Sequence, residues 1–209
     1  VKIAGEVKDF NPTLYMDRKE SKRMDRYTQF AIVAATEALA DSKLNLDNIN
    51  KQRVGVLVGS GIGGLSTIEA QIRSLVNKGP NRVAPLTIPM SISNIASGAI
   101  AIKFGLLGSS FSITSACASS THCIGEAYRN IKDGYSDIIF AGGSEASICE
   151  FGISSFQSLT ALSKSEDRNR ASIPFDLNRN GFVMGEGAGV LILEDLESAL
   201  KRGAKIVSF

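Results

Sequence analysis

Residues 110–134 read "SFSITSACASSTHCIGEAYRNIKDG". The opening "SFSITSA" reads as a strand, the small residues around Cys117 mark a turn, and the stretch from Ala118 has the spacing of a helix stopped by Gly134. On the C-terminal side follows "SDIIFAGG" (136–143), an interior strand. On the N-terminal side stands "RVGVLVGSG" (53–61), a β-branched run ending in glycines, and then "LSTIEAQIRSLVNKG" (65–79), helical in spacing and closed by Gly79-Pro80. Strands and helices alternating at this distance predict an α/β layered fold around a buried, mostly parallel sheet.

The flanks fit the same pattern. Residues Asp17 to Leu44 predict one or two helices, a charged front "DRKESKRMDRY" and a buried second part "TQFAIVAATEALADSKL". "SISNIASGAIAIKFGL" (91–106) predicts a further buried helix. Residues 163–180 are polar and loop-like; "GFVMGEGAGVLILEDL" (181–196) predicts a strand, "ESALKRG" a short helix and "AKIVSF" (204–209) a last strand. No repeat or low-complexity segment interrupts the chain.

At 209 residues the chain is long enough to bury about 70% of its unfolded surface. A hydrophobic share of 44% against 21% charged excludes disorder, and a net charge of +2 without a long basic run points away from nucleic acid and membrane surfaces. No apolar stretch reaches the ~18 residues of a spanning helix. Three cysteines without paired spacing, and no signal-peptide pattern, predict a reduced protein in the cytoplasm. The start at Val1 suggests sequence upstream.

Four chemical signals compete. Gly59, Gly61 and Gly64 in "GSGIGG" match a dinucleotide fingerprint, yet the zone about 20 residues on, "NKGPNRVAP", holds neither the acid nor the strand that such a site needs. The glycines then serve close approach of a helix or a ligand to the backbone. Cys117, His122, Cys123 and Cys149 nominally supply four metal ligands, but residues five and six apart on a helix point roughly 120 to 140° from each other, so no metal is expected. Nucleophilic chemistry at Cys117 is the strongest of the four: a helix N-terminus stabilises a thiolate there, its free N–H groups suit an oxyanion, and small neighbours admit a substrate carbonyl. The competing reading is a small buried hydrophobe, which is also how Cys123 and Cys149 are read. His122, five residues on, faces another side of the helix and is expected to be a structural histidine. The fourth signal is Arg18, Lys19, Lys22, Arg23 and Arg26, cations at a helix beginning that oppose its dipole, unless they form a solvated face.

Taken in order, "GSGIGGL", "SACASSTHCIGEA", "DIIFAGGSEA" and "RASIPFDLNRNGFVMGEGAGVLILEDLESALKRGAKI" resemble the β-ketoacyl-acyl-carrier-protein synthases, most of all the type II enzymes of bacterial fatty acid synthesis, over essentially all 209 residues. The resemblance implies the thiolase-like α/β/α/β/α fold, of which residues 1–209 are mostly the N-terminal half and incomplete at both ends. It implies a homodimer without cofactor that loads an acyl chain on a cysteine and condenses it with malonyl-acyl carrier protein, losing carbon dioxide. By that resemblance Cys117 is the nucleophile and its N–H half of the oxyanion hole. Ile62 and Phe156 line or gate the acyl pocket, and Lys19, Lys22 and Arg23 dock the acidic acyl carrier protein. The family's two histidines belong to motifs absent from this sequence, so the segment alone is expected not to condense. A polyketide ketosynthase and a non-catalytic half that binds a carrier protein are the alternatives.

Overall fold

The computed structural model describes residues 3–208. Its centre is a four-stranded sheet in the order β2-β1-β3-β4, formed by β1 (Val54–Gly59), β2 (Ser110–Phe111), β3 (Ile138–Glu145) and β4 (Gly187–Glu194). Strand β1 runs parallel to β2 and β3, pairing Val54 with Ile138 through Gly59 with Gly143, while β4 runs antiparallel to β3. The mostly parallel sheet expected from the sequence is present.

Alternation along the strands divides the core between two faces. Val54, Val56, Val58, Ile138 and Phe140 face one side and pack with Tyr27, Phe30, Ile32 and Ile100, from α2 (Arg26–Ser42) and α5 (Ile95–Phe104). Leu57, Ile139 and Ala141 face the other and meet Cys123 and Ala127 of α6 (Ser119–Lys132). All these strand residues are buried, at about 1.5–3 kcal/mol for each large side chain withdrawn from water. Three layers result, helix on sheet on helix.

Each helix has local reasons for its ends. Asp17 caps α1 (Arg18–Ser21), accepting from the N–H groups of Lys19 and Glu20, and Asp25 caps α2 through Tyr27 N–H. Helix α3 (Leu65–Lys78) ends at Gly79, and α6 is followed by Gly134 at φ 77, the stop expected from the sequence. Short helices α4 (Thr87–Ser91) and α7 (Glu150–Ser158) were not anticipated, and α8 (Leu196–Lys201) closes the order.

Several expectations need correction. Residues 112–116 leave the sheet, so "SFSITSA" contributes only the two-residue β2, because Ser112 onward turns toward α6 instead of following β1. Residues 181–186 form a loop held by bridges at Phe182 and Gly185, and β4 starts only at Gly187. The last strand is absent over 204–208, and Phe209 lies outside the described residues. In α2 the last fully buried residue is Ala35; beyond it Leu39 still packs against the core, partly buried, while Glu37, Ala40 and Asp41 are exposed. Helix α5 starts at Ile95 and leaves Ile102 82% exposed. The basic segment is divided between two helices: Lys22 is the C-cap of the four-residue α1, where the dipole favours a cation, while Arg18 and Arg26 are the first residues of α1 and of the long α2, where the expected opposition to the dipole stands.

Candidate active site

The turn before α6 is built around a strained residue. Ala116 has φ 51, a left-handed conformation costing roughly 1–3 kcal/mol for a residue with a Cβ, and Cys117 follows it as an exposed side chain two positions before the helix begins. Buried Ser119 holds the turn closed: its Oγ donates to Ala116 O at 2.7 Å and accepts from Ser115 N–H at 2.9 Å. His122 adds a brace, its Nδ1 2.6 Å from Ser115 Oγ across the turn. It is exposed, and its bond to the turn gives it the structural part expected of it.

The glycines of "GSGIGG" are explained by contact with this turn and with α4. A Cβ on Gly59 would stand 2.8 Å from Ser119 O and 3.0 Å from Cys123 Sγ, and one on Gly61 would stand 3.3 Å from Ala116 O. Gly63 and Gly64 press on Ser91 O and Met90 O in the same way. Close approach of a helix is thus their role; α3 follows them directly, and after α3 the chain forms a short turn and α4, with no second strand there to complete a dinucleotide site. Ile62, at the tip of this loop, is 38% exposed.

Glu145, at the end of β3, ties the loop down. It accepts from Gly61 N–H at 2.8 Å, from Ser60 Oγ at 3.2 Å and from Ser147 Oγ at 3.0 Å. Thr114 adds a bond to Ser60 O at 3.1 Å, linking the loop to the strand end that leads to Cys117. Asp25, 3% exposed, caps a second helix besides its own: its Oδ2 accepts from Thr67 N–H (2.9 Å) and Oγ1 (2.6 Å) in the first turn of α3.

Phe156 lies on α7 and packs edge-on against Phe182, ring centroids 5.4 Å apart. That helix is anchored at its N-terminus by Cys149, whose Sγ accepts from Gly152 N–H at 3.4 Å, and by Glu69 of α3, which accepts from Phe151 N–H at 2.9 Å. Burial, and then the neighbouring Glu69, push the Cys149 thiol up. The Phe151 N–H, then Cys149, then Arg73 hold the Glu69 carboxyl below the usual carboxylate range. Burial likewise pushes up the thiol of Cys123, which fills the seam between α6 and the sheet. The four nominal metal ligands therefore have separate settings: Cys117 and His122 exposed, Cys123 buried, Cys149 capping another helix.

Lys19, Lys22 and Arg23 are exposed together on α1 and just beyond it, and among the described residues they form no ion pair. Gln29 fixes this segment to α2 by donating to Ser21 O at 2.8 Å and Met24 O at 3.2 Å. The structure thus sets the Cys117 turn against the Ile62 loop, and Glu145 ties that loop to Ser147, just before α7. Sequence reasoning missed Glu145, Asp25 and the capping role of Cys149. An acid right after an interior strand and a glycine pair, as in "AGGSEA", was the signal available for Glu145.

The arrangement is a thiol on a strained turn at a helix N-terminus, flanked by a pinned glycine loop. The sequence model of the family described as "Beta-ketoacyl synthase, N-terminal domain" matches residues 2–199. The chain belongs to the β-ketoacyl synthase family. It is 49% identical over 206 residues to 3-oxoacyl-[acyl-carrier-protein] synthase 2 of Synechocystis sp., covering 98% of this chain and 50% of that protein. The protein of the same name from Staphylococcus aureus is 46% identical over 206 residues, with 99% and 50% covered. Among solved structures, the ishigamide ketosynthase/chain length factor superposes with a TM-score of 0.87 at 32% identity, covering 96% of this chain and 49% of that one. A β-ketoacyl synthase from Burkholderia phymatum does so with 0.84 at 30% identity, covering 97% and 50%. The fold is the thiolase-like fold of ketosynthases, and the chain spans about half the length of the curated relatives it matches.

Proposed function

We propose that this β-ketoacyl synthase chain carries the nucleophile and one wall of the acyl pocket of a 3-oxoacyl-[acyl-carrier-protein] synthase of fatty acid synthesis. Cys117 is the nucleophile, and the observation that carries this reading is its exposure on the left-handed turn at Ala116, directly before α6. Its Sγ attacks the carbonyl carbon of an acyl-carrier-protein thioester, the C–S bond to the carrier breaks, and the carrier thiol leaves with the proton. The developing oxyanion is met by the Cys117 N–H, since the next two N–H groups, of Ala118 and Ser119, already donate to Ser115 O and Ala116 O. In the second half-reaction a malonyl thioester loses carbon dioxide. The carbanion so formed attacks the acyl carbon on Cys117 and expels the thiolate, lengthening the chain by two carbons.

Within this reading Ile62 and Phe156 contact the growing chain. Lys19, Lys22 and Arg23 receive the acidic carrier protein in its acyl and malonyl forms; the exposure of all three on one short segment supports this. The names of the curated relatives, 3-oxoacyl-[acyl-carrier-protein] synthase 2, support the same substrate class. His122, the one histidine of the sequence, braces the turn and takes no proton in the reaction, and the chain acts as the N-terminal ketosynthase region of a cytoplasmic homodimer.

The test is elongation by the protein in its natural full length. Hexanoyl-acyl carrier protein and malonyl-acyl carrier protein should give the 3-oxooctanoyl product with the wild type and none with Cys117→Ala. Undiminished product from the variant overturns the assignment. Product only with a polyketide carrier protein favours the polyketide ketosynthase, and carrier binding without product the non-catalytic alternative.

A further inference from the structure

Glu145 stands where the three segments carrying Ile62, Cys117 and Phe156 meet. Its Oε2 accepts from Gly61 N–H, next to Ile62, and its Oε1 from Ser60 Oγ on the same loop. The backbone of Gly61 lies against Ala116: a Cβ there would stand 3.0 Å from Glu145 Oε2 and 3.3 Å from Ala116 O, the residue before Cys117. On its other side Oε1 accepts from Ser147 Oγ, and the first turn of α7 rests on Ser147, since a Cβ on Gly152 would collide with Ser147 O. Among the described residues no Lys or Arg pairs with this carboxylate; its partners are two hydroxyls and an amide. Its two oxygens already accept three hydrogen bonds, none of them from Cys117.

We propose that Glu145 is a positioning residue of the acyl pocket: one carboxylate fixes the Ile62 loop and the Phe156 helix relative to the Cys117 turn and so governs which acyl chain lengths reach the thiol. This rests on the reading of Cys117 as the acyl acceptor. A long chain touches more of the pocket wall than a short one, so loosening the wall costs long chains more. Three hydrogen bonds are at stake, and a tenfold change in rate corresponds to about 1.4 kcal/mol. Glu145→Gln should preserve the arrangement, because its amide oxygen can keep Gly61 N–H while its NH2 donates to the serine hydroxyls.

The experiment uses the natural full-length protein and follows acylation of Cys117 by butanoyl- and dodecanoyl-acyl carrier protein in wild type, Glu145→Ala and Glu145→Gln. The expected result is a long-to-short rate ratio that falls about tenfold in Glu145→Ala and stays within about threefold in Glu145→Gln. An unchanged ratio in Glu145→Ala, or equal losses in both variants and at both lengths, overturns the proposal. Should Glu145→Ala not fold, Ser147→Ala removes the Ser147 Oγ–Glu145 bond alone and should lower the ratio about threefold, an unchanged ratio again being contrary. Amide exchange separates this from the functional reading: peptides covering 60–64 and 115–118 should exchange about tenfold faster in Glu145→Ala than in the wild type or Glu145→Gln, while α2 does not change. If the wild type takes no acyl group, the functional reading fails, and unaltered exchange in those peptides would sink the positioning role as well.

Discussion

Gly59 and Ser119 touch through their backbones, so closely that a Cβ on Gly59 would stand 2.8 Å from Ser119 O. The sheet ends of β1 and β3 are thereby shaped to seat the first turn of α6; Gly143, paired with Gly59 across the sheet, meets Ser120 Cβ in the same way. Neither contact can relax by a side-chain rotation, since backbone or a Cβ stands opposite. Gly59→Ala is expected to cost about 1–3 kcal/mol of stability and to slow acylation of Cys117 more than tenfold by pushing the helix off its seat. Urea unfolding and a stopped acylation assay measure the two effects, and a variant with wild-type values in both would contradict the packing described.

The Arg26–Glu186 pair should carry stability by a different route. Glu186 is 2% exposed, bonded to Arg26 Nη2 at 2.8 Å and to Val7 N–H at 3.0 Å, while the guanidinium also lies over the rings of Phe10 and Phe30. Arg26→Met keeps much of the stem packing but strands a buried carboxylate, for an expected loss of about 3 kcal/mol. Replacing both residues by Met should cost much less. A single variant as stable as the wild type, by the urea midpoint, would show the pair to be idle.

Acid should loosen α7 through Glu69. Its carboxyl is held below its ordinary value of 4.5, so its stabilising contribution is complete above that value and is lost as pH falls through the lower folded one. The melting temperature of the wild type should therefore exceed that of Glu69→Gln above pH 5, with the gap closing below pH ~4. A gap that stays constant between these pH values would contradict the assigned hydrogen bonds.

Charge on α1 should act on delivery and not on chemistry. Reversing Lys19, Lys22 and Arg23 to Glu is expected to raise KM for the acyl carrier protein about tenfold, with a steeper effect at low salt. Acylation from a carrier-free thioester should not change. Equal losses with both donors would remove the docking role.

What the sequence made legible was the part with local causes. Strands β1 and β3 are continuous apolar runs because both faces of the sheet are covered, and Gly134 stops α6 because the chain needs a left-handed residue there. The seat of Cys117 was legible as a change from strand to helix around small residues. Its strain was not, since Ala116 carries no mark of a positive φ; only the close packing of Gly61 and Ser119 around it fixes that conformation. Short β2 was overread because Ser112 and Ile113 suit a strand, yet the chain turns there toward α6 although β1 continues to Gly59. Glu145 and Asp25 were missed for one reason: each bonds residues 42 to 85 positions away, a distance at which spacing along the chain says nothing.

The measurement that bears most directly on the account is peptide mass mapping of the natural full-length protein after incubation with hexanoyl-acyl carrier protein. The account predicts one hexanoyl group per chain, on the peptide that contains Cys117, removable by hydroxylamine as a thioester is, and absent in Cys117→Ala. Label on Cys149 or Cys123, or on the Cys117→Ala protein at the wild-type level, would contradict it.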